Sequence, residues 1–300
     1  MTRNNQKWYD KPATKLILIT IAITWMFPIF GFLLSSFRPG ESIKRTSWWD
    51  AIYTGTIWSE LSFDNYVEVF RAENLDRSFY NSLAVTIPST IIPITIAAFA
   101  AYAFAFMEFK GKDILFLFVV GSMIIPLQMS LIPLVQLFKD GIEIAGIPII
   151  PALDLNGTFV ATWFAHTGFG LPLATFLLRD FMMGLPKSVI ESAKIDGASH
   201  FTTFFRLVLP LSVAGIAAFG TFQFLWVYND FLVANVFLGF YRPENLVVTS
   251  HMSQIVVGRF GEAWHLRTSG AIISIIVPLA VFFGLQRFFI RGLIGGAVKG

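Results

Sequence analysis

Cysteine is missing from this 300-residue chain, so no disulfide framework, thiolate metal site or iron–sulfur cluster can be built from it. Charge is scarce as well. Asp, Glu, Lys and Arg make up 14% of the residues, where soluble domains carry about a quarter. The four histidines, His166, His200, His251 and His265, lack the close spacings of metal-ligand motifs. No Walker-type phosphate loop occurs, so any energy source is expected to lie elsewhere. No acid, base and metal constellation clusters in the sequence, which argues against an enzyme. The net charge of +3 is spread over scattered basic residues, which argues against nucleic acid.

What the chain has in excess is apolar surface: 55% hydrophobic residues, 33 Phe and 8 Trp, with a mean hydropathy of +0.66. That balance suits a bilayer as solvent. A spanning helix needs about 20 mostly apolar residues. Charge-free runs of that scale occur at Leu16–Phe37, Ser78–Met107, Ile114–Phe138, Leu155–Leu178, Leu207–Asn229 and Thr268–Gln286. They predict six spans, at 16–37, 82–107, 114–138, 157–178, 211–239 and 268–287. The first is too long for a signal-peptide core and lacks a small-residue cleavage site, so it is expected to be retained.

Lys and Arg set the orientation. Arg3, Lys7, Lys11 and Lys15 precede the first span, Lys110 and Lys112 follow the second, and Arg179, Lys187, Lys194 and Arg206 follow the fourth. The alternate loops carry the acids, so both termini are expected in the cytoplasm. The segment 38–77, with Trp48, Trp49 and Trp58, is too polar to span and predicts short interfacial helices or a small outer cap. The segment 241–267 is expected to be an outer loop, and 288–300 a cytoplasmic tail. Pro28, Pro88, Pro93, Pro126, Pro133, Pro172 and Pro278 lie within the runs. Each frees a backbone carbonyl, which lipid tolerates only where protein or a water-filled cavity receives it.

The cytoplasmic loop 184–210 is charged between two greasy runs. Leu185-Pro186 opens a helix, since proline is tolerated in the first turn. Asp196-Gly197 ends it, glycine supplying the left-handed position of a helix stop. A second helix begins near Ser199, carries Phe201, Phe204 and Phe205, and runs into Leu209-Pro210. On these features alone the pair also reads as interfacial helices lying on the membrane surface.

The spacing is more specific. Glu191-Ser192-Ala193, three residues, Gly197, nine residues, then Leu207-Val208-Leu209-Pro210 resembles the signature loop of binding-protein-dependent ABC importer permeases. There the pattern is Glu-Ala-Ala, then Gly, then Ile-x-Leu-Pro at the same spacing; Ser192 and Leu207 are the departures. The tail from Gln286-Arg287-Phe288-Phe289 through Gly292-Leu293 to Gly296–Gly300 resembles the end of the maltose-type sugar permeases. Tyr228-Asn229-Asp230-Phe231 resembles an aromatic-Asn-acid-Phe segment in their fifth span. The stretch SSFRPGESI followed by SWW resembles permeases for α-glucosides and related glucosyl solutes.

The resemblance implies an all-α membrane protein with the type I ABC importer permease fold, a MetI-like transmembrane domain of six helices with cytoplasmic termini. It implies a non-catalytic subunit of a sugar importer in the bacterial cytoplasmic (inner) membrane, binding no cofactor itself. Its partners would be a second permease, an ATPase homodimer holding ATP and Mg, and an extracytoplasmic sugar-binding protein. Glu191, Ser192, Ala193, Asp196, Gly197 and Pro210 become the ATPase-coupling residues. Ser253, Gln254, Val256, Val257 and Gly258 become docking candidates for the binding protein.

For a sugar, aromatic faces and buried amides are the fitting chemistry. The candidates at membrane depth are Gln128, Trp163, His166, Gln223, Trp226, Tyr228, Asn229 and Asp230. Asp230 is the only acid inside a run that must otherwise span, which makes it a functional residue by default. It could instead satisfy the amides of a broken helix or pair across a subunit interface. A self-contained secondary transporter of a small polar solute would need coupling-ion sites and usually internal repeats, and neither is visible.

Overall fold

The computed structural model describes residues 12–72, 74–239, 242–258 and 263–297. Its contacts fall into two compact units, Met1–Asp76 with Met252–Ile275, and Arg77–His251 with Ile276–Gly300.

In the first unit, the helix α1 (Pro12–Ser36) is followed by short helices Gly40–Arg45, Trp48–Tyr53, Ile57–Glu60 and Asp64–Val67 and a π-turn Glu68–Ala72. Short helices are among the expectations for 38–77, here taken as the cap segment. Its centre is a buried cation: Arg38, 1% exposed, donates from Nε to Glu60 Oε2 at 2.6 Å and from its terminal nitrogens to Thr46 Oγ1 and Thr46 O. A buried charge is tolerated when its partners are this complete. Asn65 Nδ2 donates to the carbonyls of Ser36 and Arg38 at 2.9 and 2.8 Å, tying the cap to the end of α1. Trp48 lies against Phe27 and Phe30 of α1, over Gly31, where any Cβ would overlap the indole. Burial pushes the Tyr66 phenol above its ordinary range, opposed by its hydrogen bond with Ser36.

The longest helices follow. The helix α2 runs Leu75–Phe106 with Pro88 and Pro93 inside it. Next come α3 (Lys112–Gly121) and α4 (Leu127–Asp140), bent by 105° where one straight span was expected. The cause is local: Ile125 precedes Pro126 and sits extended at φ −71°, ψ 118°, because a residue before proline is pushed out of the helical region. A second departure follows at once. Strands β1 (Ile142–Ile144) and β2 (Ile147–Ile150) form an antiparallel hairpin in a chain read as all-α. The alternating Ile-Glu-Ile and the Ala145-Gly146 turn at positive φ explain it.

The helix α5 (Phe159–Met183) is the most enclosed, burying Ala161, Ala165, Gly170 and Ala174 together with His166 and three threonines. The coupling segment holds α6 (Lys187–Ile195), then His200–Thr203, a π-turn Phe204–Val208 and Leu209–Leu211. The helix α7 (Val213–Tyr228) ends in a break and resumes as Leu232–Ala234 and a π-turn Asn235–Gly239. The helices α8 (Val248–Gly258) and α9 (Trp264–Ala297) complete the order.

Two boundaries change accordingly. The segment 241–267, expected as a loop, holds α8 and the first turn of α9, and α9 continues through most of the expected tail. Residues 240–241, 259–262 and 298–300 lie outside the described residues, as do the side chains of Val256, Val257 and Gly258.

Among the described residues, α1, α2 and α9 are long and apolar enough to cross a membrane, and the bent pairs α3/α4 and His200–Leu211 with α7 raise that to five. The 25-residue α5 is long enough but carries the polar residues it buries.

Candidate functional site

Two places carry chemistry. The first is the loop 184–210. Pro186 caps α6 at its start, and Ile190 and Ala193 turn inward, leaving Glu191, Ser192, Lys194 and Asp196 exposed. Ala193 is thus buried, while the other coupling candidates of α6 stand exposed. The stop is a complete Schellman motif: Gly197 N–H donates to Lys194 O at 3.1 Å and Ala198 N–H to Ala193 O at 3.0 Å. Gly197 sits at φ +74°, the left-handed region that favours glycine, with open space around it. Ser199 opens the second arm, its Oγ accepting from Thr202 N–H at 3.2 Å.

The second arm divides its aromatics. Phe204 is buried in a cluster with Ala97, Ala98, Ala101 and Tyr102 of α2 and with Leu178 and Met182 of α5. Ile195 at 86% and Phe201 at 71% stand exposed, and Pro210 is exposed as well. Apolar groups so placed beside a row of charges have the make-up of an interface centre and rim.

The second place is a polar layer within the bundle. On α2, Ser82, Thr86 and Ser89 fall on one face and are buried; on α5, His166 and Thr167; on α7, Gln223 and Tyr228. Gln223 Nε2 donates to Ser89 O at 3.2 Å, and its amide occupies the room left by Gly170, where a Cβ would clash with it. Asp230 lies in the break after α7, 13% exposed, 3.8 Å from His166 Nε2. Its carboxylate accepts from Val233 N–H at 3.3 Å and Ala234 N–H at 2.9 Å, and its carbonyl from Thr249 Oγ1 at 2.6 Å. The amide-satisfying reading of Asp230 is thus the one its contacts carry. The space bounded by Ser82, Thr86, Tyr228 and Asp230 measures about 10 Å³, too small for a sugar ring.

The other pathway candidates separate. Trp226 stands edge-on to His166 with ring centroids 5.9 Å apart and lines an open groove of about 740 Å³ with Phe138, Phe164, Phe169 and Pro126. Trp163 Nε1 donates to Ala84 O at 2.9 Å, a packing contact with α2. Asn229 is exposed and donates to Leu225 O, closing its own helix end. Gln128 is exposed on α4 and lines neither space. The residues that sequence reasoning missed are Ser82, Thr86, Ser89 and Thr167. The i, i+4, i+7 recurrence of Ser and Thr along α2 was the available signal.

The docking segment is also less free than expected. Asn81 Nδ2 donates to the carbonyls of Glu244 and Leu246, Ser82 Oγ accepts from Val248 N–H, and Ser78 Oγ meets His251 Nδ1 at 2.7 Å. Ser253 and Gln254 are half-buried on α8.

The chain is a helical bundle with spans apolar enough for a membrane and a glycine-stopped helix that presents acids outward. The model for the binding-protein-dependent transport system inner membrane component matches residues 93–295, and the chain belongs to that family. It is a non-catalytic, multi-pass permease subunit of an ABC importer, the ATPase being a separate subunit. An osmoprotective compounds uptake permease of Synechocystis sp. is 43% identical over 298 residues, 99% of this chain and 95% of that protein. An alpha-glucoside transport system permease of Rhizobium meliloti is 50% identical over 248 residues, which cover 83% of this chain and 63% of that longer relative. A solved bacterial ABC transporter for import of the acidic polysaccharide alginate shares the fold, with a TM-score of 0.71 at 15% identity over 96% of this chain and 99% of that one.

Proposed function

We propose that this subunit forms half of the translocation pathway of a bacterial importer for an α-glucoside or another oligosaccharide or glucosyl solute. A second permease would supply the other half. An ATPase homodimer holding ATP and Mg drives it from the cytoplasm, where both termini lie, and an extracytoplasmic binding protein delivers the sugar across the inner membrane. The observation that carries the coupling role is the two-faced α6: Ile190 packed in the bundle and Ala193 buried, Glu191, Ser192 and Asp196 offered outward, and a stop at Gly197. A charge-assisted contact to Glu191 is stronger than a neutral one, so closure of the ATPases around ATP pulls α6 and the packed helices with it. The substrate class is supported by the roles of the Synechocystis and Rhizobium relatives and by the aromatic rings around the groove, which suit the C–H faces of a sugar.

The test is reconstitution. The permease pair, ATPase and binding protein in liposomes should take up a radiolabelled α-glucoside or glucosylated polyol only with ATP inside, and a protonophore should not affect uptake. Uptake that collapses with the ion gradient and ignores ATP would restore the secondary-transporter reading.

A further inference from the structure

The second arm of the loop meets α2 at the Tyr102 hydroxyl, which faces His200 and Thr203 among aromatic rings. The Tyr102 hydroxyl lies 3.1 Å from Nδ1 of His200, across 98 residues of sequence. His200 is exposed at the first turn of the arm, and Tyr102 is buried. Phe204, one turn further on, stands edge-on to Tyr102 at 5.3 Å and tilts against Phe99 at 4.8 Å. Ala97, Ala98 and Ala101, all buried, leave the room that lets this arm approach α2 so closely.

We infer that Tyr102 and His200 are a positioning pair, transmitting displacement of the docked loop to α2. The inference rests on the reading of 184–210 as the coupling loop. The loop is covalently continuous with α5 and α7, so those helices follow it through the backbone. The helix α2 is not, and can be moved only through contacts. Apolar contact is non-directional and lets surfaces slide, whereas a hydrogen bond weakens steeply when its angle is lost. The Ser199 cap fixes the turn that carries His200, and the Schellman stop fixes that turn to α6. Farther along α2 lie Ser82, Thr86 and Ser89, so what moves α2 also moves its wall of the polar layer.

The test uses the full complex in liposomes, with Tyr102→Phe, His200→Ala, His200→Asn and the Phe/Ala double variant. Hydrolysis stimulated by loaded binding protein and sugar moved per ATP are measured beside copurification of the ATPase and thermal stability. Tyr102→Phe should leave copurification, basal hydrolysis and stability at the wild-type level. Stimulation and sugar per ATP should fall about 3- to 10-fold, the range set by one lost hydrogen bond. His200→Ala should match that fall, and the double variant should be no worse than either single. His200→Asn, whose Oδ1 replaces Nδ1, should recover most of it. Wild-type coupling in Tyr102→Phe overturns the pair, as does a loss of stability with coupling per assembled complex unchanged. A wild-type complex that loaded binding protein does not stimulate overturns the coupling-loop reading, and this inference falls with it.

Discussion

At the scale of single residues, the loop's geometry hangs on Gly197. Its φ of +74° costs a residue with a Cβ about 1–2 kcal/mol, and nothing lies within 4 Å to clash with the added atom. The penalty is therefore conformational, and it falls on the angle between the arms rather than on the core. Asn tolerates the left-handed region better than other side chains. Gly197→Asn should stay nearest the wild type, Gly197→Ala lower and Gly197→Val lowest in hydrolysis stimulated by binding protein, with thermal stability nearly level across the series. Equal stimulation in Asn and Val variants would remove the backbone argument. Asp230 shows the opposite use of a residue. Its carboxylate is spent on the amides of Val233 and Ala234, so an acid that stood out in the sequence as pathway chemistry closes a helix break.

Elements tell how far the sequence could be read. The loop 184–210 was legible almost residue by residue, because proline, an Asp-Gly stop and a serine cap are local signals that tertiary packing does not override. The break at Ile125-Pro126 was visible as a proline but not as a 105° bend, since the angle depends on what α4 packs against. The hairpin β1–β2 was hidden in a window too short to weigh against long apolar helices. In the polar layer, Gln223 and Tyr228 were legible as buried polar groups, while Ser82, Thr86 and Ser89 were passed over because hydroxyls barely interrupt an apolar run. The helix α8 changes an experiment. A loop would accept a flexible linker, but Ile255 and His251 are buried, so Gly-Ser in place of Ser253–Gly258 should lower thermal stability along with transport. Alanines at Ser253 and Gln254 keep the helix. They should leave stability within about 0.5 kcal/mol while weakening stimulation by sugar-loaded binding protein. Unchanged stimulation would take the docking role away from α8.

For the whole molecule, the sequence carried the helical membrane class because long apolar runs and a loop motif are global and redundant signals, whereas contacts among helices are neither. The first helix shows what that redundancy leaves open. The helix α1 is the most apolar of the long ones, yet only 6% of its apolar window is buried within the chain, against 39% for α2. Its insertion therefore leans on the bilayer more than on packing within the chain. During synthesis it needs no later helix in order to leave the translocon sideways, since apolar side chains at its centre favour insertion by themselves. The helix α5 is the contrary case: His166, Thr162, Thr167 and Thr175 become tolerable only once the rest of the bundle buries them. A chain truncated after residue 45 should resist alkaline extraction from membranes as well as the full-length protein does, while α5 placed alone in a host sequence should be released. Biogenesis would then run from a helix that commits early and packs little to one that packs closely and commits last.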